Sequence, residues 1–428
     1  MKNTIITGKC VDMSIDGLGI AKSDNLVIFV KELIKGEVAD IKITKEKTNY
    51  CYGIIDKLIE VSPYRKDLDC PIAYKCGGCD FRHIDYEYQL VLKKEILDNI
   101  LKPFEVKNIT KDDNPYYYRN KVQIPCRDSK MGFYRKYSND IIEFDDCLLQ
   151  SKIANDIIRD LKQIIKDNSY YDSIRHFVIK HGKQSDEVML GIVTTDFDKD
   201  YKELVDKLIS KYPNIKSIIL NLNDKDTNVI LGDKEKVLYG NDYIIDIFDD
   251  IKVKIALKSF YQVNHDMMIK LYNKVLELAQ LDKNTRVLDL YCGIGSISLF
   301  LARFCKEVTG VEIVKEAVDN AKANASMNNI DNVDFILADA SKAMDDYLKD
   351  KDVLILDPPR KGISKELINS IINSDIKRIV YVSCNPVSLA RDLKLLEDYF
   401  DISEIYPYDM FGHTVHVETV VLMSRVKD

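Results

Sequence analysis

The sequence lacks several features that would place it outside the globular intracellular proteins. No apolar run approaches the roughly 18 residues that a membrane-spanning helix needs. The stretch from Met1 to Lys9 reaches a charge before the apolar core of a signal peptide could form. Glycine and proline number only 17 and 10 among 428 residues, which is too few for a fibrous or disordered chain. We therefore expect a soluble, cytoplasmic protein with no membrane partner.

An excess of positive charge is also missing. The chain has 62 Lys and Arg against 69 Asp and Glu, a net charge of -7. This balance argues against indiscriminate binding of polyanions, although it leaves room for one local basic cleft. The hydrophobic fraction of 46% supplies enough material for a sizeable core. A prior of roughly 150 residues per domain then suggests about three domains.

Residues 1–60 form the first of three compositional regions. The β-rich runs Val27–Val30, Val38–Ile43 and Tyr52–Ile55 are separated by turns with glycine, such as Asp16–Gly19. Short strands at this spacing are typical of a small barrel. We therefore predict a β-barrel domain over residues 1–60.

Residues 61–255 mix strands and helices, whereas residues 256–428 alternate them. The middle region has a cysteine-rich loop, a helical stretch at Tyr88–Leu101 and β-like runs such as Val188–Val193. In the last region the predicted strands are Arg286–Asp289, Val308–Val311, Val353–Leu356 and Ile379–Ser383, and the predicted helices are Ser296–Cys305, Lys315–Asn328 and Ser364–Asn373. The alternation predicts a doubly wound α/β domain with a largely parallel sheet, whose ligands lie at the carboxyl ends of the strands.

Three strand ends in the last region suit a nucleoside cofactor. The first strand runs into a turn with Gly293 and Gly295 and then a helix, which lets the backbone approach a ligand closely. The next strand ends at Glu312, 23 residues after Asp289, where a carboxylate can accept hydrogen bonds from two ribose hydroxyls. A third ends at Asp339, which could meet an adenine amino group. This arrangement resembles the class I S-adenosylmethionine-dependent methyltransferases.

A dinucleotide site is disfavoured by one position of the same turn. The dinucleotide fingerprint would place a third glycine at position 298, where this chain has Ser298.

Two further strand ends supply reactive groups. The first is the turn Asp357-Pro358-Pro359, which in amino-group methyltransferases is followed by an aromatic residue; here Arg360 follows, which argues against methylation of an exocyclic amine. The second is Cys384, directly after the strand Ile379–Ser383. A free cysteine is most often a packing residue, but a position beside the cofactor favours a nucleophile.

A thiolate has a specific use in the methylation of carbon 5 of uracil. Its addition to carbon 6 makes carbon 5 an enolate-like nucleophile, and a base must afterwards remove the carbon 5 proton. The candidates for this base lie close together near the end of the chain: Glu418 is favoured, and His413 and His416 are rivals.

Three cysteines form a short cluster with C-x5-C-x2-C spacing, namely Cys70, Cys76 and Cys79. Four thiolates suit either zinc or an iron–sulfur cluster. Cys147 is the best candidate for the fourth ligand and Cys126 is the alternative. The spacing differs from the C-x3-C-x2-C of radical S-adenosylmethionine enzymes, which favours a closed structural centre.

Residues 114–138 combine positive charge with aromatic rings. The window has six Lys and Arg against one acid, and six aromatic residues. Such a mixture can neutralise phosphates and stack unpaired bases. We therefore predict RNA binding through this region, in particular through Arg119, Lys121, Arg135 and Lys136. The target base must be unpaired or flipped out to reach Cys384.

Taken together, these motifs resemble the RNA uracil-5-methyltransferase family over nearly the whole chain. The matching features are the cysteine cluster with Cys147, Lys258–Asn264, the glycine turn, Asp357–Gly362, Ser383–Pro386 and His416–Glu418. The N-terminal region resembles the TRAM domain, a small RNA-binding barrel. One departure is Gly412, where relatives commonly have proline.

The resemblance implies roles for individual residues. It places Gln262, Tyr291, Glu312 and Asp357 in the cofactor and base pocket, Cys384 as the nucleophile and Glu418 as the base. It also implies a [4Fe-4S] cluster on Cys70, Cys76, Cys79 and Cys147. Relatives with both the TRAM domain and the cluster usually act on large-subunit ribosomal RNA, which favours 23S rRNA. We also expect a monomer. Methylation of a transfer-RNA uridine and an inactive iron–sulfur RNA-binding protein are the alternatives.

Overall fold

The structure is a computed structural model that describes residues 2–128, 130–168, 172–225, 227–342 and 344–426. No helix within these ranges is long and apolar enough to cross a membrane.

The N-terminal region is a closed five-stranded barrel, as predicted. Its strands are β1 (Ile5–Met13), β2 (Gly19–Ser23), β3 (Leu26–Lys31), β4 (Val38–Glu46) and β5 (Cys51–Glu60). They follow the order β1-β2-β3-β5-β4, and β1 pairs with β4 to close the barrel. Alternate residues such as Ile28, Val30 and Ile41 fill the interior. A Cβ at Gly19 would lie 2.3 Å from the carbonyl oxygen of Leu33, so only glycine fits there.

The segment after the barrel contains the cysteine loop and helix α1 (Tyr86–Ile100). Asp85 caps the helix by accepting hydrogen bonds from the backbone N–H groups of Glu87 and Tyr88. Beyond α1, the chain forms isolated bridges from Val106 and Thr110 to a strand of the C-terminal sheet. This segment therefore packs on the C-terminal α/β unit, and α1 contributes to the same side of the molecule as the candidate active site.

The central region is a six-stranded mixed sheet covered by two helices. Its elements are β6 (Lys121–Arg127), β7 (Lys130–Met131), β8 (Phe133–Tyr134), β9 (Ile141–Ile142), α2 (Lys152–Asn168), β10 (Ile174–His181), β11 (Val188–Thr194), α3 (Lys202–Lys211), β12 (Ile215–Leu222) and β13 (Lys234–Gly240). The sheet order is β13-β12-β11-β10-β6-β7, and β8 and β9 form a separate hairpin. A second hairpin, β14 (Tyr243–Phe248) and β15 (Ile251–Ala256), leads into the last region.

The C-terminal region is the predicted doubly wound domain. Its helices are α4 (His265–Ala279), α5 (Ser296–Ala302), α6 (Lys315–Met327), α7 (Asp345–Leu348), α8 (Lys365–Ile372) and α9 (Pro386–Leu396). Its strands are β16 (Arg286–Leu290), β17 (Glu307–Glu312), β18 (Val333–Leu337), β19 (Val353–Leu356), β20 (Arg378–Ser383), β21 (Phe400–Tyr408) and β22 (Glu418–Arg425).

The seven strands follow the order β18-β17-β16-β19-β20-β22-β21. The five from β18 to β20 are parallel, and β22 runs antiparallel to both of its neighbours. The strand order reverses between β16 and β19, and ligands of doubly wound sheets bind in the crevice at such a point. The antiparallel β22 brings its first residue to the edge where the parallel strands end.

Candidate active site

The glycine turn after β16 is shaped by the space around it. Gly293 and Gly295 have φ angles of +56° and +81°, in the region that favours glycine. A Cβ at Gly295 would lie 2.6 Å from the ring of Phe335, whereas nothing lies within 4 Å of a Cβ at Gly293. Gly295 is therefore required by its close packing against Phe335, whereas Gly293 leaves the backbone open toward the neighbouring cavity.

That cavity brings together four of the seven residues predicted to bind the cofactor: Gln262, Tyr291, Gly293 and Asp357. Glu312 lies beside them. Its carboxylate accepts hydrogen bonds from the N–H of Gly293 at 3.1 Å and from the N–H groups of Ile313 and Val314, each at 2.9 Å. Glu312, at the end of β17, thus fixes the glycine turn that follows β16.

Asp339 stands further from the cavity. Its carboxylate accepts hydrogen bonds from the N–H and the hydroxyl of Ser341, and these lower its pKa. Burial, followed by the negative charge of Asp339, raises the pKa of Tyr291 to about 12, so the two side chains are neighbours at the rim.

Two buried acids make the cavity suited to a cationic ligand. Burial, together with the charges of Asp357 and Glu312, raises the pKa of Asp289 to about 7, against the hydrogen bond from the Ser298 hydroxyl. The other oxygen of Asp289 has no hydrogen-bond partner among the described residues. Burial also raises the pKa of Asp357 to about 7. A positively charged ligand would stabilise the ionised carboxylates of Asp289 and Asp357. Ser298, where a dinucleotide site would have glycine, binds the acid instead.

The thiol and the favoured base meet at the end of the β20–β22 ladder. Ser383 pairs with Thr419 in the antiparallel register, and the hydroxyl of Thr419 donates to the carbonyl of Ser383 at 3.0 Å. Because antiparallel neighbours advance in opposite directions, the next residues, Cys384 and Glu418, face each other. Asp357 follows β19, the strand on the other side of β20.

The electrostatics of this pair depend on burial. Glu418 is only 4% exposed, and one of its oxygens has no partner among the described residues. Burial, and then the charge of Asp357, raises its pKa well above the usual value, while Arg360 acts in the opposite direction. Burial, followed by the charges of Glu418 and Asp357, raises the pKa of Cys384 to about 11; Arg360 again opposes the shift.

The two histidines occupy different surroundings from Glu418. His413 is fully buried, its Nδ1 lies 3.1 Å from Nε2 of Gln89, and burial lowers its pKa to about 3. His416 lines the same cavity as Cys384, but its Nδ1 lies 3.0 Å from the guanidinium of Arg360, which is always a donor. The hydrogen bond from Arg360 therefore uses the lone pair of His416 Nδ1.

Cys384 lines a second cavity, of about 450 Å³, which we name the open cavity. Its walls come from three parts of the chain: Ile15 and Asp16 of the barrel, Lys93 of α1, and Arg360 and His416 of the C-terminal region. The cavity has room for an unstacked base next to the thiol.

The raised pKa of Cys384 predicts a pH-dependent reactivity. Because only the thiolate reacts, alkylation of Cys384 by iodoacetamide should accelerate about tenfold per pH unit between pH 7 and pH 10. Arg360→Met should slow the reaction at each of these pH values, since loss of the positive charge raises the pKa further. Mass spectrometry of the peptide with Cys384 measures the rate. A plateau below pH 9 would contradict the shift.

The four predicted metal ligands line one cavity of about 90 Å³: Cys70, Cys76, Cys79 and Cys147. Burial, and then the charges of Cys147 and Cys70, raises the pKa of Cys76 to about 11, which places these thiols near one another. Cys126 lies elsewhere, in the buried core of the central sheet. Within the described ranges, no three His, Cys, Asp or Glu are placed to hold a single metal ion.

The four residues predicted to bind RNA do not form one exposed surface. Arg119 faces the cysteine cavity, and burial lowers the pKa of Lys121 on β6. Lys136 is half-buried and paired with Asp80 at 2.5 Å. Arg135 is exposed. Together with Arg127 and Lys130, it lines a separate surface cavity of about 280 Å³.

Several residues of the site were not singled out from the sequence. Phe260 is 67% exposed and lines the cofactor cavity. Lys93 lines the cavity of Cys384 and contacts the segment before Glu418. The available signal for Lys93 was its place on the apolar face of α1, one residue after Leu92 and three before Ile96.

Known proteins resemble this chain over its full length. Residues 85–426 match the family described as tRNA (uracil-5-)-methyltransferase, and residues 9–55 match the TRAM domain. An RNA methyltransferase of Bacillus cereus is 44% identical, covering 100% of this chain and 98% of the relative. One of Clostridium acetobutylicum is 41% identical, covering 96% and 95%.

A solved structure shows the same architecture. The tRNA (uracil-54, C5)-methyltransferase of Pyrococcus abyssi, in complex with S-adenosyl-L-homocysteine, aligns with a TM-score of 0.80 at 29% identity. The alignment covers 98% of this chain and 100% of that one.

Proposed function

This chain belongs to the tRNA (uracil-5-)-methyltransferase family, and we propose that it methylates carbon 5 of a specific uridine in 23S rRNA through a covalent Cys384 adduct. The observation that carries the proposal is the meeting of Cys384 and Glu418 just beyond the last registered pair of the β20–β22 ladder, Ser383 and Thr419, with Cys384 lining the open cavity. Methylation of carbon 5 of uracil requires a nucleophile that adds to carbon 6 and a base that afterwards removes the carbon 5 proton.

The cofactor is S-adenosylmethionine, which supplies a methyl group on a positively charged sulfur when it is bound. The acids of the cavity fit this charge: Asp289 has an unpartnered oxygen, and Asp357 lies at the border with Cys384. Glu312 holds the turn at Gly293. These residues would bind and orient the cofactor, and Phe260 and Tyr291 would shield it from water.

The residues of the chain account for each proton and bond on the uracil. The Cys384 thiolate forms a bond to carbon 6, and the displaced electron pair makes carbon 5 nucleophilic. Carbon 5 would then take the methyl carbon of the bound donor, and the electron pair of the broken carbon–sulfur bond would remain on the donor sulfur, which leaves as a neutral thioether. Glu418 accepts the carbon 5 proton. The electron pair of that C–H bond restores the carbon 5–carbon 6 double bond, and the Cys384 thiolate leaves.

The high pKa of Glu418 suits this last step. Burial disfavours the charged form, so once Glu418 has lost its own proton its carboxylate is a stronger base than an exposed one. Arg360 supports the opening step, because its charge favours the thiolate form of Cys384.

The choice of 23S rRNA is supported by the TRAM domain together with the four-cysteine cavity, the combination typical of the relatives that act on large-subunit RNA. A specific observation favours a second candidate, a transfer-RNA uridine: the Pyrococcus abyssi enzyme, with the same architecture, is a tRNA methyltransferase.

Methyl transfer to both RNAs tests the proposal. The protein is incubated with labelled S-adenosylmethionine and unmodified 23S rRNA or tRNA, and the nucleosides are then separated. Label in 5-methyluridine from 23S rRNA alone is the expected result. Label from tRNA alone would overturn the substrate and keep the reaction. Label in neither RNA would favour the alternative of an RNA-binding protein without turnover.

We further propose that Cys70, Cys76, Cys79 and Cys147 hold a [4Fe-4S] cluster. The donor set is chemically suited to it, because four thiolates bind such clusters. The N–H of Gly78 donates to the sulfur of Cys76 at 3.3 Å, a contact that stabilises a charged sulfur. All four thiols line one cavity, and the resemblance to relatives that carry this cluster favours it over zinc. Such a centre would fix the loop from Cys70 to Cys79.

Absorption spectroscopy and metal analysis of anaerobically purified protein test the cluster. We expect a coloured protein with about four iron atoms per chain, the iron content of this cluster type. Cys147→Ala should lose the iron, whereas Cys126→Ala should retain it because Cys126 does not line the cavity of the four thiols. A colourless protein with one zinc ion would contradict the proposal.

A further inference from the structure

We propose that the buried ion pair between Lys93 and Asp409 positions Glu418 for removal of the carbon 5 proton, by holding both ends of the segment that precedes this residue. We name residues 409–417 the base segment. The inference rests on the proposed function, in which Glu418 is the base.

Lys93 reaches the base segment at three points. Both side chains of the pair are completely buried, and Nζ of Lys93 contacts Oδ1 of Asp409. The same Nζ donates to the carbonyl oxygens of Phe411 and His416, each at 3.3 Å. One ammonium group therefore connects the beginning of the base segment with a residue only two positions before Glu418.

Asp409 is itself fixed by a chain of hydrogen bonds. Its second oxygen accepts from the hydroxyl of Tyr86 at 2.7 Å, and that hydroxyl accepts from the N–H of Asp112 at 3.0 Å. Asp112 in turn accepts from the side-chain amide of Asn264 at 2.6 Å, and Asn264 caps helix α4. The anchor of Lys93 is thus tied to two helices of the molecule.

The base segment needs such support because it has no regular partner of its own. It lies between β21 and β22 and forms turns rather than strand, so its carbonyl groups require donors from elsewhere. Three donors of an ammonium group can satisfy several acceptors at once. An apolar side chain at position 93 could fill the space and would leave the carbonyls of Phe411 and His416 without this donor.

The opposite side of the base segment is held by the cysteine loop. The N–H groups of Asp80 and Phe81 both donate to the carbonyl of His413 at 3.0 Å. The N–H of Val415 donates to the carboxylate of Asp80 at 3.2 Å. A Cβ at Gly412 would lie 2.9 Å from Cβ of Pro115, so the segment also packs closely against residues before β6. Lys93 completes this support on the side that faces Cys384.

The energetics of burial separate positioning from simple stabilisation. A buried ion pair is often no more stabilising than an apolar pair of the same volume, so stability alone does not explain this one. Small errors in the placement of a reacting group are costly, since a displacement of about 1 Å can lower a rate by roughly 10²-fold. We therefore expect the effect of Lys93 on the step that uses Glu418.

Lys93→Met provides the first test, because methionine keeps most of the length and removes the donors. With normal RNA we expect proton removal to slow at least about tenfold, so that the covalent protein–RNA adduct accumulates on a denaturing gel. With RNA that carries 5-fluorouridine, where no proton can be removed, the adduct should form at the wild-type rate. Lys94→Met, on the half-buried neighbour that pairs with Asp98, is the control and should behave as wild type.

The double variant Lys93→Met with Asp409→Leu addresses folding. It removes both charges, so no unpaired charge is left buried, and its adduct should accumulate as in the single variant. Wild-type turnover in the double variant would overturn the inference, as would a folded Lys93→Met that is slow without accumulating the adduct. Glu418→Gln is run in parallel: if it forms no adduct, the proposed base is wrong, whatever Lys93 does.

Discussion

Replacement of Cys384 by alanine is expected to abolish methyl transfer while cofactor and RNA still bind. The side chain lies at the end of β20, partly exposed to the open cavity, so its removal leaves the ladder and the cofactor cavity in place. Without the thiolate, carbon 5 of uracil has no route to its nucleophilic form. We expect a loss on the order of 10⁴-fold or more, the scale of removing a covalent nucleophile.

The measurement combines turnover with binding. Label transfer from S-adenosylmethionine gives the rate, and calorimetry with the cofactor and a filter assay with RNA give the two affinities. Cys305→Ala is the matched control: Cys305 is a buried cysteine between α5 and β17 with no contact to the open cavity. It should retain activity. Residual methylation by Cys384→Ala near the wild-type rate would remove this residue from the mechanism.

Replacement of Glu418 by glutamine is expected to trap the enzyme on its RNA. Glutamine keeps the size of the side chain and loses the basic oxygen, so addition and methyl transfer proceed but the carbon 5 proton stays. Turnover should fall roughly 10²–10⁴-fold, the usual contribution of a general base. The protein should migrate as a covalent RNA adduct on a denaturing gel, with the methyl label in the shifted band.

Glu404→Gln is the control for this experiment. Glu404 lies on β21, the strand next to β22, but its carboxylate is exposed and pairs with Lys107 at 3.2 Å. It should give normal turnover and no trapped adduct. His416→Ala separates the rival base: because His416 already accepts from Arg360, we expect slower binding or addition without a trapped adduct. An adduct with His416→Ala and none with Glu418→Gln would reverse the assignment.

The two outcomes together define the order of the chemistry. Cys384 acts before the methyl group moves, and Glu418 acts after it. A variant of the first should therefore form no adduct with normal RNA, and a variant of the second should accumulate one. Lys93 contacts the segment before Glu418 and also lines the cavity of Cys384. Its contacts with that segment predict that a Lys93 variant behaves like the Glu418 variant.

Local patterns in the sequence were sufficient to predict most elements of the last region. The strand Val353–Leu356 has the predicted bounds, and the helix predicted at Lys315–Asn328 ends one residue earlier, at Met327. Alternating short apolar runs and amphipathic stretches specify elements of this kind because each depends on its own side chains. The closed barrel followed from the same kind of signal.

Position at a strand end was the second type of information that the sequence contained. Parallel strands place their carboxyl ends at one edge of a sheet, so Gly293, Glu312 and Asp357 could be expected near one another. The structure places them around the glycine turn and its cavity. The pattern was less informative for Asp339, which binds Ser341 at the rim.

Other features depended on contacts between segments far apart in the chain. Arg119 and Lys121 belong to a basic, aromatic stretch, yet one faces the cysteine cavity and the burial of the other lowers its pKa. Charge in a sequence does not indicate which side chains a neighbouring segment will cover. The cavity of Cys384 likewise needs walls from the barrel and from α1, which no local pattern could supply.

The sequence by itself thus determined the barrel, the doubly wound sheet and the residue types at the strand ends, because these follow from local periodicity and from the rule that parallel strands end together. Only the tertiary structure decided that β22 runs antiparallel beside β20, which sets Glu418 opposite Cys384. It also decided that Lys93, some 300 residues earlier in the chain, supports the segment before Glu418. Both are long-range contacts, and the free energy of a long-range contact depends on partners that the local sequence does not specify.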